Sequence, residues 1–159
     1  AFVDVGAQKW TAWVSDAIEK AAGLGLMLDI HDEYRMTGNA RTWPNLLTVE
    51  GIRGNEEMPA AAHNCALVFT RYLCGGGDYT PCWRQARVKN SLAHQLAMPA
   101  VYFSPFQFLY WYSTPKQIDA DDPALDFWKR IPTVWDETLA LQGKIGEFAV
   151  MARRSGNDW

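Results

Sequence analysis

The sequence predicts an α/β chain: the later strands and helices of a (β/α)8 TIM barrel, followed by the start of a C-terminal β-sheet domain. Three observations carry that reading. A short apolar strand at Ala1 to Val5 leads into Trp10, Trp13, Val14, Ala17, Ile18 and Ala21, an apolar stripe at helical spacing. Leu26-Met27-Leu28-Asp29-Ile30 is a nearly continuous apolar run between glycine and the polar His31-Asp32-Glu33, which suits a parallel strand buried on both faces. Near the end, Thr138 to Leu141, Gly143 to Gly146 and Glu147 to Arg153 read as a hairpin, and a terminal hairpin predicts a separate antiparallel sheet. Residues 1–136 are therefore assigned to the barrel and 137–159 to the opening hairpin of the second domain.

Between these landmarks each element has its own signal. Gly23 and Gly25 end the first helix. A polar loop with Gly38, Asn39 and Pro44 leads to Leu46 and Leu47, then to Val49 through Glu57, the densest cluster of acids in the chain. Leu67-Val68-Phe69 and Tyr72-Leu73 precede the Gly75-Gly76-Gly77 punctuation. Ser91 to Val101 is helical in pattern until Pro99 disturbs it, Phe106 to Tyr112 is an aromatic strand-like run, and Asp119 to Pro123 is a polar loop. Four strand-helix steps fall short of the eight that close a barrel of about 250 residues.

Composition bounds the function. At 48% hydrophobic and 21% charged residues the chain has a globular balance, while 13% aromatic residues fill a large core or line a ligand cleft. The net charge of −3 comes without a basic run, which argues against a nucleic-acid partner. No apolar stretch approaches the roughly 20 residues that span a bilayer, and AFVDVG lacks the regions of a signal peptide. Cys65, Cys74 and Cys82 have no metal-type spacing and read as buried thiols.

In such a barrel, catalytic groups sit at the C-terminal ends of strands, where His31, Asp32, Glu50 and Glu56 fall. Glycoside hydrolysis needs one carboxyl to protonate the leaving oxygen and a second carboxylate to drive water or itself onto the anomeric carbon. Carboxylates gathered in one cleft also repel one another, which predicts either a shared proton or a divalent cation such as Ca²⁺. His31 reads equally as a hydrogen-bond partner for a sugar hydroxyl and as a satisfied strand-end residue. Arg41 reads as a salt-bridged residue or a clamp on the carboxylate loop. His63 and His94 read as structural, and Trp43, Tyr79 and Trp111 as core residues or sugar-stacking platforms. Asp4 reads as a strand-end acid.

Three blocks in this order and spacing, His31 to Gly38, Arg41 to Leu46 and Glu50 to Glu56, resemble the signature region of glycoside hydrolase family 97. Weaker echoes follow at Asn64, Phe69-Thr70-Arg71, Asp78-Tyr79-Thr80, His94 to Ala97, Ser104 to Gln107 and Pro132 to Asp136. The resemblance implies an α-glucosidase or α-galactosidase whose barrel this chain enters at about its fourth strand. It makes Glu56 the general acid, Glu50 a calcium ligand, and Asp32 the counterpart of a glutamate that is both calcium ligand and base in inverting members, with Glu56 also near the ion. Asp32 is one methylene shorter than that glutamate. Retaining members carry an aspartate nucleophile at the position of Ala1, so alanine there favours inversion.

The resemblance also implies an oligosaccharide or α-glycoside substrate and an exported or periplasmic bacterial location. The alternative is a non-catalytic half-barrel fragment or subunit that self-associates through exposed barrel edges.

Overall fold

The computed structural model describes residues 6–32, 34–82, 86–109 and 119–159. The strand expected at Ala1 to Val5, with Ala1 and Asp4 in it, lies outside them, as does Trp111.

Helix α1 spans Gln8–Gly23 and buries Val14, Ile18 and Ala21, one stripe at i, i+4 and i+7. The stripe is narrower than the sequence predicts, since Trp13 is mostly exposed and meets Trp10 edge to face at 5.9 Å. A left-handed Gly25, at φ +70°, turns the chain toward strand β1, Leu28–Ile30. Through the one-turn helix α2, Asn39–Thr42, the chain reaches strand β2, Leu46–Val49, which pairs parallel with β1. Val14 and Ile18 pack on Tyr34, Leu46 and Val49 to form the first core. Strand β1 is only half-buried, contrary to the expectation of burial on both faces, because its described partners are β2 on one edge and α1 on one face.

The parallel wall continues beyond β2. Val49 bridges Gly77 in parallel, and Gly77 N–H donates to the Phe103 carbonyl at 3.1 Å. Beyond the two strands, single contacts thus line up the chain at Gly77 and at Phe103 in chain order, with α3, Ala61–Val68, before the first and α4, Leu92–Val101, before the second. The spacing is close: a Cβ on Gly76 would lie 2.7 Å from the Leu47 carbonyl. Pro99 does not end α4, because in the last turn it forfeits a single backbone bond. Phe106 to Leu109 is not a strand, and the rest of that run lies outside the described residues.

A second core joins Leu67, Tyr79, Met98 and Tyr102, with Tyr72 stacked on Tyr102 at 4.4 Å. Helix α5, Pro123–Arg130, was not anticipated, although its signals are present: Asp122 caps the Ala124 N–H and Pro123 opens the first turn.

The terminal hairpin forms as expected, from β3, Glu137–Lys144, and β4, Phe148–Arg154. Arg153 fixes it to α4 by donating to the Tyr102 and Val101 carbonyls at 3.2 and 3.0 Å. Gly143 fixes it to α3, since a Cβ there would meet the Phe69 ring at 2.2 Å. All three cysteines are thiols; only Cys82 is buried, while Cys65 is half-buried and Cys74 exposed, which corrects the expectation for those two.

Candidate active site

Where β1 and β2 end, acids gather. Asp29 and His31 lie two apart in sequence at the end of β1 and so share a face. The Nε2 of His31 lies 2.8 Å from Asp78 Oδ2 and 3.3 Å from Asp29 Oδ2, and its Nδ1 lies 3.5 Å from Glu50 Oε2. Asp78 follows the Gly77 bridge directly, is fully buried, and accepts a second bond from the Thr80 N–H at 3.0 Å.

Asp29, only 6% exposed at its side chain, meets no donor in good hydrogen-bonding geometry despite the nearby imidazole. Burial, with the neighbouring Asp78 carboxylate, pushes its carboxyl up to about 7. Burial pulls His31 downward, but its hydrogen bond to Asp78 and the charges of Asp29 and Glu50 outweigh that and raise it. Asp29, His31 and Asp78 are the group of three whose ligand atoms lie within 4.8 Å of one another among the described residues. Within the group, His31 and Asp78 are hydrogen-bonded at 2.8 Å, and Asp29 lies beside them.

The loops after β1 and β2 lock together. Asp32 adopts a left-handed conformation, φ 71°, and its N–H donates to Glu50 Oε2 at 2.6 Å, while Gly51 N–H donates back to the Asp32 carbonyl at 3.2 Å. Only glycine fits at 51, where a Cβ would lie 2.1 Å from the Tyr34 carbonyl. Burial raises the Glu50 carboxyl, and the charges of Glu56 and Asp32 add to it against the opposing pull of His31 and the Asp32 N–H. Behind these loops Arg71 donates to the carbonyls of Val49, Glu50, Gly51, Gly75 and Gly76.

The structure brings all four sequence-selected residues together. His31, Asp32, Glu50 and Glu56 line one open cleft of about 560 Å³, with Arg35, Arg53 and Glu57 at its margin. Glu56 stands exposed on a 3-10 turn, Asn55–Glu57, and its neighbour Glu57 is paired with Arg53 at 2.8 Å.

Other candidates fall elsewhere. Arg41 is exposed on α2, and the clamp on the carboxylate loop is Arg71. Tyr79 is buried, so it is core and not a sugar platform, while Trp43 packs against the first core. His63 contacts the Arg53 carbonyl and His94 the Asn64 side chain, both structural. Sequence reasoning gave no role to Asp29, Asp78 or Arg71. Asp29 had one usable signal, an acid inside an otherwise apolar strand.

Family models match both ends of the chain: "Glycoside hydrolase 97" over residues 1–52, and "Glycosyl-hydrolase 97 C-terminal, oligomerisation" over 134–159. A retaining alpha-galactosidase of Bacteroides thetaiotaomicron is 34% identical, over 99% of this chain and 27% of its own. A probable retaining alpha-galactosidase of Streptomyces bingchenggensis is also 34% identical, over 99% of this chain and 25% of its own. The fold matches a family 97 enzyme of Pseudoalteromonas sp. strain K8 in complex with acarbose, with TM-score 0.84 and 31% identity over 98% of this chain and 26% of that one. The chain thus spans about a quarter of the length of the relatives it matches. The family models at both ends, the curated relatives over 99% of the chain and the shared fold agree, and the chain belongs to glycoside hydrolase family 97.

Proposed function

We propose that these residues form part of the catalytic barrel of an enzyme that hydrolyses α-glycosidic bonds, with Glu56 as general acid. The observation that carries it is the single cleft into which the ends of β1 and β2 deliver Asp32, Glu50 and Glu56. The names of the relatives, two alpha-galactosidases and an enzyme in complex with acarbose, support an α-glycoside or oligosaccharide substrate. On this reading residues 1–136 supply barrel and 137–159 open the C-terminal domain, and the protein works in a bacterial periplasm or outside the cell. The hairpin's match to an oligomerisation domain supports self-association.

The exposed Glu56 protonates the departing glycosidic oxygen as the bond to the anomeric carbon breaks. Water adds to that carbon and gives up its proton to a carboxylate, for which Asp32 is the candidate here. His31, held by Asp78 and half-exposed to the cleft, donates to a sugar hydroxyl.

The chemistry of Asp32, Glu50 and Glu56 suits Ca²⁺, though their ligand atoms are not all within 4.8 Å of one another, as those of Asp29, His31 and Asp78 are. Asp32, Glu50 and Glu56 offer only oxygen, and the raised Glu50 carboxyl, pushed up by burial and by the other two acids, reports a cluster that a hard cation would relieve. When bound, such an ion supplies positive charge that keeps the carboxylates ionised and oriented.

Inversion rests on Ala1 standing where a nucleophile would be needed. Retention is a second reading, favoured by the names of both curated relatives. The test is hydrolysis of aryl α-glucosides and α-galactosides by the complete protein that carries these residues, with the product anomer followed by NMR. Glu56→Gln is expected to lower kcat on poor leaving groups by about 10²- to 10⁴-fold. Unchanged turnover in that variant rejects the assignment, and the first-formed anomer decides between the two stereochemical readings.

A further inference from the structure

The turn that carries Glu56 is held from beneath by a buried polar network that the reaction scheme above does not use. Asn55, immediately before Glu56, is 1% exposed and has every polar group engaged. Its backbone N–H donates to the Tyr79 carbonyl at 2.9 Å, and its side-chain Nδ2 donates to the Cys82 carbonyl at 2.9 Å. Its Oδ1 accepts from Gln95 Nε2 at 3.3 Å and lies 3.4 Å from the Tyr79 hydroxyl. The partners are themselves fixed. Tyr79 donates to Asn64 Oδ1 at 2.6 Å, Tyr102 donates to the Asn64 carbonyl at 2.9 Å, and Gln95 donates to Asn90 Oδ1 at 2.6 Å.

Two steric features close the clamp. A Cβ on Gly54 would lie 2.6 Å from the Tyr79 carbonyl, so the turn sits directly against the 79–80 backbone. On the far side of Glu56, buried Met58 takes a left-handed conformation, φ 49°, and Thr80 takes another at φ 52°. A fold that buries an amide network and two strained residues beneath an exposed acid has spent stability on that acid's position. Gln95 even leaves its Oε1 without a donor while its Nε2 serves Asn55.

We infer that Asn55 is a positioning residue for Glu56, with Tyr79 and Gln95 acting through it to fix the direction from which the proton reaches the leaving oxygen. The inference rests on the role proposed for Glu56. It predicts a specific kinetic signature, because misplacing a proton donor harms only those substrates whose leaving group needs the proton. A leaving group that departs unprotonated, such as fluoride or 2,4-dinitrophenolate, is indifferent to it.

The experiment uses the complete protein carrying these residues, as wild type, Asn55→Ala, Tyr79→Phe and Glu56→Gln, on an alkyl α-glycoside and the matching α-glycosyl fluoride. Amide exchange at Glu57 and Met58 is read in parallel, since these donate to the Gly54 and Asn55 carbonyls within the turn. Asn55→Ala is expected to lower kcat on the alkyl glycoside by about a hundredfold with KM little changed, and to leave the fluoride within about twofold. Exchange at Glu57 and Met58 should quicken at least about tenfold while α3 stays protected. Tyr79→Phe, which keeps the ring, should show the same pattern more weakly.

Unchanged exchange overturns the clamp. Quickened exchange with equal losses on both substrates overturns its link to proton transfer. If Glu56→Gln itself loses both substrates equally, the proposed role of Glu56 is what fails, and the exchange result still judges the clamp.

Discussion

Asp29 shows what one buried acid does to the molecule. Its carboxyl is held near 7 in the fold against an ordinary 3.8, so between those values the folded state binds a proton that the unfolded chain has released. Linkage then gives a negative slope: this group's contribution to stability falls as pH rises from about 4 to about 7 and is level above that. Asp29→Asn keeps the shape without the titration. The variant should match wild type near pH 4 and exceed it above pH 7 by an amount of order 1 kcal/mol or more, read from urea midpoints across that range. A difference between wild type and Asp29→Asn that does not change between pH 4 and 7 would dispose of the raised Asp29 carboxyl. The residues that touch the cleft were legible because acids at strand ends are a pattern in one dimension. Asp78 and Arg71 were not, because their importance comes from partners some 20 to 50 residues away in sequence: the His31 imidazole for Asp78 and the Gly51 carbonyl for Arg71.

At the scale of elements, the end of β2 with the loop after it and the glycine stretch before Asp78 are two separate pieces of chain that Arg71 ties together. Its guanidinium reaches five carbonyls and is itself partly stripped of water, which lowers its pKa. Arg71→Met should therefore cost about 2–4 kcal/mol, because buried carbonyls lose their donors. Lysine should restore little of this, since one ammonium cannot span the fork. Denaturant unfolding of the three proteins reads both effects, and a lysine variant as stable as wild type would remove the bridging role. Element types were legible wherever periodicity was strong: α1, β1 and the hairpin stand where the pattern put them. Helix α5 escaped because its eight residues make barely two turns and bury a single position, Ala124. The limits of β1 were overstated because Leu26 and Met27, apolar in sequence, are exposed in the fold.

Among the described residues, the hairpin carries five of the exposed large apolar side chains. Leu141, Ile145 and Val150 are 60%, 63% and 42% exposed, and Leu139 and Phe148 stand beside them. Apolar side chains gathered on a two-stranded sheet favour association. This chain should show a concentration-dependent sedimentation coefficient, and Leu141→Lys combined with Val150→Lys should shift it toward the monomer. A doubly substituted chain that associates as strongly as wild type would move the contact away from the hairpin.

The parallel wall has a consequence for how the molecule forms. Each piece of chain in it meets the one before it in sequence, with separations of 18 residues from Leu28 to Leu46, 28 from Val49 to Gly77 and 26 from Gly77 to Phe103. Loop-closure entropy grows only with the logarithm of length, so these three closures differ by less than about 0.6 kcal/mol. None of them waits on a distant partner. The wall can be laid down one segment at a time in the order of synthesis, each new piece docking on an edge already present, and its growth is a succession of similar small searches in place of one large one.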